Sequence, residues 1–127
     1  MSKWMSVWNA TREQQILTRV RYCGSFFCRL RGLTFRRRLP EDEGVLLVGG
    51  RESRMDASIH MFFVFFPIAV VWLDRERRVV DTVIARPFRP LYLPKAPAKD
   101  VLEGAPSLLK QVSVGDLLEF GGREVGT

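Results

Sequence analysis

The segment Ser58–Asp74 reads SIHMFFVFFPIAVVWLD and is the stretch that decides the fold of this chain. Its apolar run is shorter than the roughly 18 residues that a transmembrane helix needs, and it contains His60 and Pro67. Apolar residues at successive rather than alternate positions are typical of strands that are covered on both faces. The segment therefore predicts two buried strands, Ser58–Phe66 and Ile68–Leu73, joined at the proline.

The flanking sequence predicts further short elements. Gln14–Tyr22 alternates apolar residues with arginines, which is the pattern of a half-buried strand, whereas Ser25–Arg31 changes to a helical period and predicts a short helix. The remaining predicted elements are a strand at Trp4–Trp8, a short strand at Val45–Val48 before an exposed loop at 51–57, strands at Arg78–Ala85 and Lys99–Glu103, the last as an edge strand, a helical turn at Ser107–Gln111, and a turn at Gly115 and Asp116.

These elements amount to about seven or eight short strands with one or two short helices. That count favours a mainly β fold, an antiparallel β-sandwich or barrel, over a parallel α/β sheet. A length of 127 residues with 46% hydrophobic content fits a single domain, residues 1–127, with a core of its own. A stiff extended loop is predicted between the last strands, because four prolines there each fix φ and remove a donor: Pro87, Pro90, Pro94 and Pro97.

The positive charge of the chain is concentrated in its first third. Residues 1–40 carry nine Lys or Arg and one acid, a balance of 9 − 1 = +8, whereas residues 41–127 carry eleven bases and thirteen acids, a balance of 11 − 13 = −2. A basic face follows only if these residues cluster in space. The N-terminal residues lack the apolar core of a secretory signal, so we expect a cytoplasmic protein without a membrane segment.

The two cysteines, Cys23 and Cys28, are too few for a disulfide scaffold and lack the spacing of a zinc site. Free, partly buried thiols are the simplest interpretation.

Four sequence blocks occur in an order and spacing that resemble a known family: GLTFRRRLPEDEGVLLV, SIHMFFVFFPIAVVWLDRERRVV, AKDVLEG and VGDLLEF. The chain resembles, from about residue 12 to 120, the prokaryotic family called domain of unknown function 192. The most specific matches are Gly32-Leu33, Arg36, Leu39-Pro40 with Glu43-Gly44, and His60-Met61-Phe62-Phe63. The resemblance implies a mainly β sandwich and no defined activity. The chain departs from the family at Ala69, where an Asp is usual, and in the GAPS that follows Glu103.

The single histidine, His60, excludes three-histidine metal sites and leaves few triads. A core histidine bonded to the backbone is the simplest interpretation, and a role in a ligand pocket is the alternative. Arg36 matches the family motif and carries a fork for carboxylate or phosphate, although the arginine turn can also pair with its own acids, including Glu43. The candidate ligand-binding residues are Arg36, Glu43, His60, Arg86 and Arg89. We expect no metal and no cofactor.

Three functions fit the sequence. The first is a non-enzymatic binding module, in which the proline-rich loop and the Arg36 turn wall a site for a small ligand or a protein partner. The second is a hydrolase that uses paired carboxylates, with Asp81 and Glu103 as weak catalytic candidates. The third is single-stranded nucleic-acid binding, for which Trp4, Trp8 and Tyr22 lie in sequence near Arg12, Arg19 and Arg21.

Overall fold

The computed structural model describes residues 3–24, 38–61 and 64–124 of the chain, and these form seven strands and one 3-10 turn. No α-helix occurs in the described residues, so the mainly β prediction is confirmed. The strands are β1 (Lys3–Asn9), β2 (Gln14–Cys23), β3 (Glu43–Ser53), β4 (Ile68–Leu73), β5 (Val79–Ala85), β6 (Ala98–Gly104) and β7 (Leu118–Glu124), and the 3-10 turn, η1, spans Pro106–Lys110.

The seven strands form one curled sheet, a half-barrel, in the order β5-β4-β6-β3-β2-β1-β7. Each neighbouring pair is antiparallel except β2 and β3, which are parallel. The two edge strands meet at one end, where Arg78 bridges to Leu117 and the Val79 N–H donates to the Asp116 carbonyl at 2.8 Å. The curl therefore brings the first and last strands of the order into contact.

The inner face of this curl holds one of two apolar cores. It contains residues from all seven strands, which is possible only on the enclosed side of a curled sheet. Leu108 of η1 packs into the same core and closes it. We call this group the inner core: Val7, Ile16, Leu17, Val20, Leu46, Ala69, Val71, Leu73, Val79, Leu102, Leu108, Val112 and Leu118.

The opposite, outer face of β3, β6, β4 and β5 is covered by two connecting segments that we call the cap, the described parts of residues 54–67 and 86–97. The segments are joined by backbone hydrogen bonds between Ile59 and Tyr92 in both directions, at 2.8 and 2.9 Å, and by the Met61 N–H to the Arg89 carbonyl at 3.0 Å. The Trp72 indole N–H donates to the Ala57 carbonyl at 2.7 Å and fixes the cap to β4. Three apolar side chains of the cap are buried against the outer face of the sheet: those of Ile59, Met61 and Val64.

The segment Ser58–Asp74 thus contributes to the buried core as predicted, but only its second half forms a strand. Ile68–Leu73 is confirmed as β4, whereas the strand predicted at Ser58–Phe66 is wrong: in its described part only Ile59 forms a bridge. The reason is its partner. The segment pairs with the proline-rich loop, which lacks the donors of a continuous ladder.

Other local predictions have mixed outcomes. Gln14–Tyr22 is confirmed as β2, and the helical turn predicted at Ser107–Gln111 is the 3-10 turn η1. Lys99–Glu103 lies in β6, between β3 and β4, so the prediction of an edge strand is wrong. The strand predicted at Val45–Val48 continues to Ser53, and the exposed loop begins later than expected.

Two further predictions concern residues at or beyond the end of β2. Cys23 is disulfide-bonded and fully buried, so the free thiol expected there is wrong. The helix predicted at Ser25–Arg31 lies outside the described residues.

Hydrogen bonds join the proline-rich loop to β5 and to the residue that follows it. The Asp81 carboxylate accepts hydrogen bonds from the backbone N–H groups of Thr82 at 2.9 Å and Lys95 at 3.0 Å, and the Arg86 N–H donates to the Tyr92 hydroxyl at 2.8 Å. The loop thereby acquires a structural role that the sequence did not indicate.

None of the described segments is a helix long and apolar enough to cross a membrane.

Candidate functional site

Three of the buried carboxylates in the described residues have partners that explain them. Asp100 is paired with Arg77 at 2.9 Å and Lys99 at 3.2 Å, and Asp116 accepts from the Asn9 amide and the Ser113 N–H, both at 2.9 Å. The third, Asp81, holds the proline-rich loop through the Lys95 N–H and also accepts from the N–H of Thr82, its neighbour on β5. These acids have structural roles, because each carboxylate accepts hydrogen bonds from donors within the fold.

Glu103 is the exception. Its side chain is 4% exposed, and within the described residues it makes no hydrogen bond and no ion pair. Burial alone raises the pKa of the Glu103 carboxyl from its ordinary value of 4.5 to about 7. The ionised carboxyl is disfavoured in this environment, because burial removes most of its hydration.

The register of the sheet explains why Glu103 is desolvated. It lies on the outer face of β6, opposite Val45 of β3 and Val70 of β4, and Val101 precedes it by two residues on the same face. Three aliphatic side chains therefore surround the carboxyl on the sheet surface. An aliphatic environment disfavours the charged form, which gives the direction of the pKa shift.

Polar family-motif residues lie close to this position. Glu43 is two residues before Val45 on the same face of β3, which makes it a diagonal neighbour of Glu103, roughly 7–8 Å away. Arg21 of β2 pairs with Val45 and belongs to the same row across the sheet. Glu43 and Arg21 are half-buried and engaged in interactions of their own. The two glutamates were separate candidates in the sequence, and the sheet brings them together.

The pair proposed for hydrolysis, Asp81 and Glu103, shares the outer face but lies two strands apart. Asp81 pairs with Trp72 and Glu103 with Val70, so β4 separates the acids by roughly 10 Å across the sheet. The Asp81 carboxylate is already used by the loop, so catalysis by this pair remains a prediction from sequence.

Arg86 and Arg89 lie in the cap, next to the aromatic rings of Phe65, which the sequence had assigned to a buried strand, and Phe88, which lies in the proline-rich loop. Phe65 and Phe88 are 49% and 51% exposed, and their rings are in contact with centroids 5.6 Å apart. Both arginines are exposed, and the Arg89 guanidinium lies 4.9 Å from the centre of the Tyr92 ring. We call Phe65, Phe88, Leu91, Arg86 and Arg89 the cap surface. The exposure of Phe65 was not predictable, because a phenylalanine in an apolar run is indistinguishable from a core residue in sequence.

His60 lies in the cap, half-buried, rather than on a strand. It has an interaction within the structure. Ala69, at the position where the family usually has an Asp, faces the inner core. The replacement of that Asp by Ala therefore does not alter the outer face of the sheet, on which Glu103 lies. Arg36 lies outside the described residues.

Two arginines of the basic N-terminal third make contacts within the described part of the fold. The Arg12 guanidinium donates to the Lys110 carbonyl at 2.9 Å and to the Ser113 hydroxyl at 2.7 Å, which ties β1 and β2 to the turn before β7. Arg19 stacks over Trp4 at 4.5 Å on the outer face of β2. β2 is four strands from β5 in the sheet order, so this cluster is separate from the cap surface.

Sequence reasoning missed Asn9, which is fully buried and makes four hydrogen bonds. Its amide N–H groups donate to the Gln111 carbonyl and to Asp116, and its side-chain oxygen accepts from the N–H groups of Thr11 and Arg12. The available signal was a polar residue at the end of an alternating strand. No group of three or more potential metal ligands lies together in the described residues.

The curled half-barrel is a fold shared with solved structures of small β domains. A crystal structure from Sinorhizobium meliloti, described as a "putative transcription regulator", matches with a TM-score of 0.80 and 22% identity over 94% of both chains. A protein of unknown function from Novosphingobium aromaticivorans matches with a TM-score of 0.77 and 20% identity over 91% of this chain and 83% of that one. These similarities show the fold alone.

The chain belongs to the family DUF192, described as "Uncharacterized ACR", whose model matches residues 7–120. The UPF0127 protein TK1120 of Thermococcus kodakarensis is 37% identical over 88% of this chain and 71% of its own length. The UPF0127 protein PF1050 of Pyrococcus furiosus is 36% identical over 88% of this chain and 95% of its own length. The resemblance seen in the sequence is confirmed, and the family assigns no specific activity.

Proposed function

We propose that the protein is a non-enzymatic binding module that holds a partner protein at the cap surface. The observation that carries the proposal is the contact between two half-exposed phenylalanine rings, Phe65 and Phe88, on a cap whose Arg86 and Arg89 are exposed. Exposed aromatic and arginine side chains are the residues that dominate protein interfaces.

The charge of the cap indicates the chemistry of the partner. The two cap segments, residues 54–67 and 86–97, contain four bases and one acid, a balance of 4 − 1 = +3. Within the described residues Arg86 makes no ion pair. The partner that complements this surface presents an apolar side chain to the rings and carboxylates to the arginines.

The backbone of the cap is suited to presenting these side chains. Phe88 has a φ of 64°, a left-handed conformation that costs a non-glycine residue about 1 kcal/mol or more, and its N–H donates to the Met61 carbonyl at 2.9 Å. The cap therefore holds one exposed ring in an uncommon conformation by a hydrogen bond to the other cap segment. A preorganised surface loses less entropy on binding.

The experiment selects binding peptides from a random twelve-residue display library and measures their affinity by fluorescence anisotropy. We expect acidic peptides that contain aromatic or leucine residues, with affinity reduced at least tenfold by Phe88→Ser and by the double change Arg86→Ser, Arg89→Ser. Matched controls are Val114→Ser and Arg75→Ser, which alter exposed residues on other turns.

Three results would contradict the proposal. They are a failure to select any peptide, unchanged affinity in the cap variants, and binding of a labelled single-stranded oligonucleotide in preference to every selected peptide.

A further inference from the structure

We propose that the partner binds the cap through an extended segment, which adds a strand to the cap at residues 91–93. This inference rests on the proposed function, because it specifies how the cap holds its partner. It is carried by the backbone groups of Leu91 and Leu93, which form no hydrogen bond with any described residue.

Residues 91–93 have the alternation of a β-strand. Leu91 and Leu93 are 48% and 37% exposed, whereas Tyr92 between them is 9% exposed and packs against the outer face of the sheet. Tyr92 also forms an antiparallel bridge with Ile59. In an extended chain, side chains alternate between the two faces, and backbone groups alternate between the two edges. Leu91 and Leu93 therefore share one face and one edge, and Tyr92 has the other face and the other edge.

The edge on which Tyr92 lies is occupied by the cap segment 54–67. Both backbone groups of Tyr92 bond to Ile59, at 2.8 and 2.9 Å, and the Pro94 carbonyl accepts from Arg54 Nε at 2.8 Å. Pro90 and Pro94 lie two residues before and after Tyr92, so the donors that these prolines lack are missing from this occupied edge. The prolines thus leave the donors of the opposite edge in place.

The opposite edge is unpaired at Leu91 and Leu93. By the alternation of the strand, each of these residues directs its N–H and its C=O to this edge, and no described residue bonds to them. The Lys95 N–H, next along the same edge, donates to the Asp81 carboxylate at 3.0 Å, so the unpaired stretch ends there. We call the N–H and C=O groups of Leu91 and Leu93 the cap edge. An unpaired strand edge is a template for another extended chain.

An antiparallel peptide matches the cap edge. One peptide residue exchanges a pair of hydrogen bonds with Leu93, and the residue two positions further along exchanges a pair with Leu91. Directly opposed residues place their side chains on the same face, so these two peptide side chains lie beside those of Leu91 and Leu93. The partner segment therefore has apolar residues at positions i and i+2, with acidic residues nearby that complement Arg86 and Arg89.

The charge of the cap disfavours a second copy of this chain as the occupant. The cap segments are net positive, so two caps that met at this edge would bring Arg86 and Arg89 of one copy towards those of the other. An acidic segment of a different protein has the complementary charge.

The test is an N-methyl scan of the tightest-binding twelve-residue peptide from the display selection, with affinity measured by fluorescence anisotropy. N-methylation removes one backbone donor and places a methyl group on that edge of the peptide. We expect two positions, i and i+2, at which N-methylation weakens binding by roughly tenfold or more. The residue between them is the matched control, because its N–H points away from the cap, and we expect a change of less than about threefold there.

The variant Leu93→Pro tests the same edge from the side of the protein. It removes the Leu93 N–H, which bonds to no described residue, and the bridged Tyr92 before it has the extended backbone that a proline favours in its predecessor. The control Leu93→Ala shortens the side chain but keeps the N–H. We expect binding to weaken by roughly tenfold in Leu93→Pro and by less than about threefold in Leu93→Ala. Thermal unfolding shows whether both variants fold, and the N-methyl scan decides the matter if Leu93→Pro does not.

The outcomes separate this inference from the proposed function. If no peptide is selected, both fail. If peptides bind at the cap surface but the N-methyl scan shows no alternation, or if folded Leu93→Pro binds as tightly as Leu93→Ala, only this inference is overturned. It is also overturned if sedimentation shows a wild-type dimer that Leu93→Pro converts to a monomer, because the occupant of the edge is then a second copy.

Discussion

Glu103 is the residue whose chemistry departs furthest from what its sequence context implies. In AKDVLEG it follows two apolar residues and looks like the polar end of an edge strand. The structure places it in the middle of the sheet, opposite Val45 and Val70, where burial raises the pKa of its carboxyl to about 7. A raised pKa in a buried acid is a cost to folding at neutral pH.

This cost gives a prediction for stability. The folded protein binds the Glu103 proton more tightly than the unfolded chain, whose glutamate has the ordinary pKa of 4.5, so stability falls as the pH rises from about 4.5 to 7. Glutamine cannot ionise. We therefore expect the free energy of unfolding of Glu103→Gln to rise by about 3 kcal/mol relative to that of the wild type as the pH increases from 5 to 8. Urea unfolding of both proteins at four pH values measures this difference in the free energy of unfolding.

The matched control for this prediction is Glu119→Gln, an exposed acid on β7. It should show no such pH dependence relative to the wild type. A Glu103→Gln variant whose stability runs parallel to the wild type across this range would show that the carboxyl has a donor in the folded protein.

At the scale of elements, two glycines on β3 show how closely β3 and β6 approach. A Cβ at Gly49 would overlap the Lys99 backbone carbonyl oxygen, whereas a Cβ at Gly50 would meet nothing within 4 Å. We expect Gly49→Ala to lower the free energy of unfolding by about 1–3 kcal/mol, because backbone must move. Gly50→Ala, the neighbouring control, should change it by less than about 0.5 kcal/mol. Equal effects of the two changes in thermal unfolding would contradict this account.

The proline-rich loop and β5 form a second element-scale unit, joined by Asp81. Asp81→Asn replaces one acceptor oxygen by an amide that faces a backbone N–H, so we expect a loss of about 1–3 kcal/mol. Hydrogen exchange should accelerate at the Lys95 N–H, whose acceptor is weakened.

The control for the loop prediction is Asp56→Asn, which breaks an exposed ion pair with Arg51 at 2.8 Å and should cost less than about 1 kcal/mol. If Asp81→Asn leaves exchange at Lys95 unchanged, the carboxylate does not hold the loop.

At the scale of the whole molecule, the closure of the half-barrel depends on contacts far apart in sequence. Asn9, at the end of β1, bonds to Gln111 and Asp116, and the Val79 N–H donates to the Asp116 carbonyl. These bonds join the two ends of the strand order, so they stabilise the curl as a unit.

Asn9→Asp tests this closure. The change keeps the shape of the side chain but replaces the donor to Asp116 with a second carboxylate, and two carboxylates at 2.9 Å repel each other. We expect a loss of about 2–4 kcal/mol at pH 7 and a smaller loss near pH 4, where one acid is protonated. Asn9→Ala should show a loss that varies less with pH, and chemical unfolding of both variants at the two pH values makes the comparison. A pH-independent loss in Asn9→Asp would place the cause elsewhere.

The sequence by itself determined the family, the mainly β class, the burial of Ile68–Leu73 and the alternation of Gln14–Tyr22, because period and composition are local properties of the chain. It also selected Glu43, Glu103, Arg86 and Arg89 as candidates, without placing any of them. Only the tertiary structure put β6 between β3 and β4, which buried Glu103 beside Glu43, and only the pairing of the two cap segments turned Phe65 and Phe88 outward. The physical reason is that burial is set by pairing between distant strands, and no local pattern specifies which strands will meet.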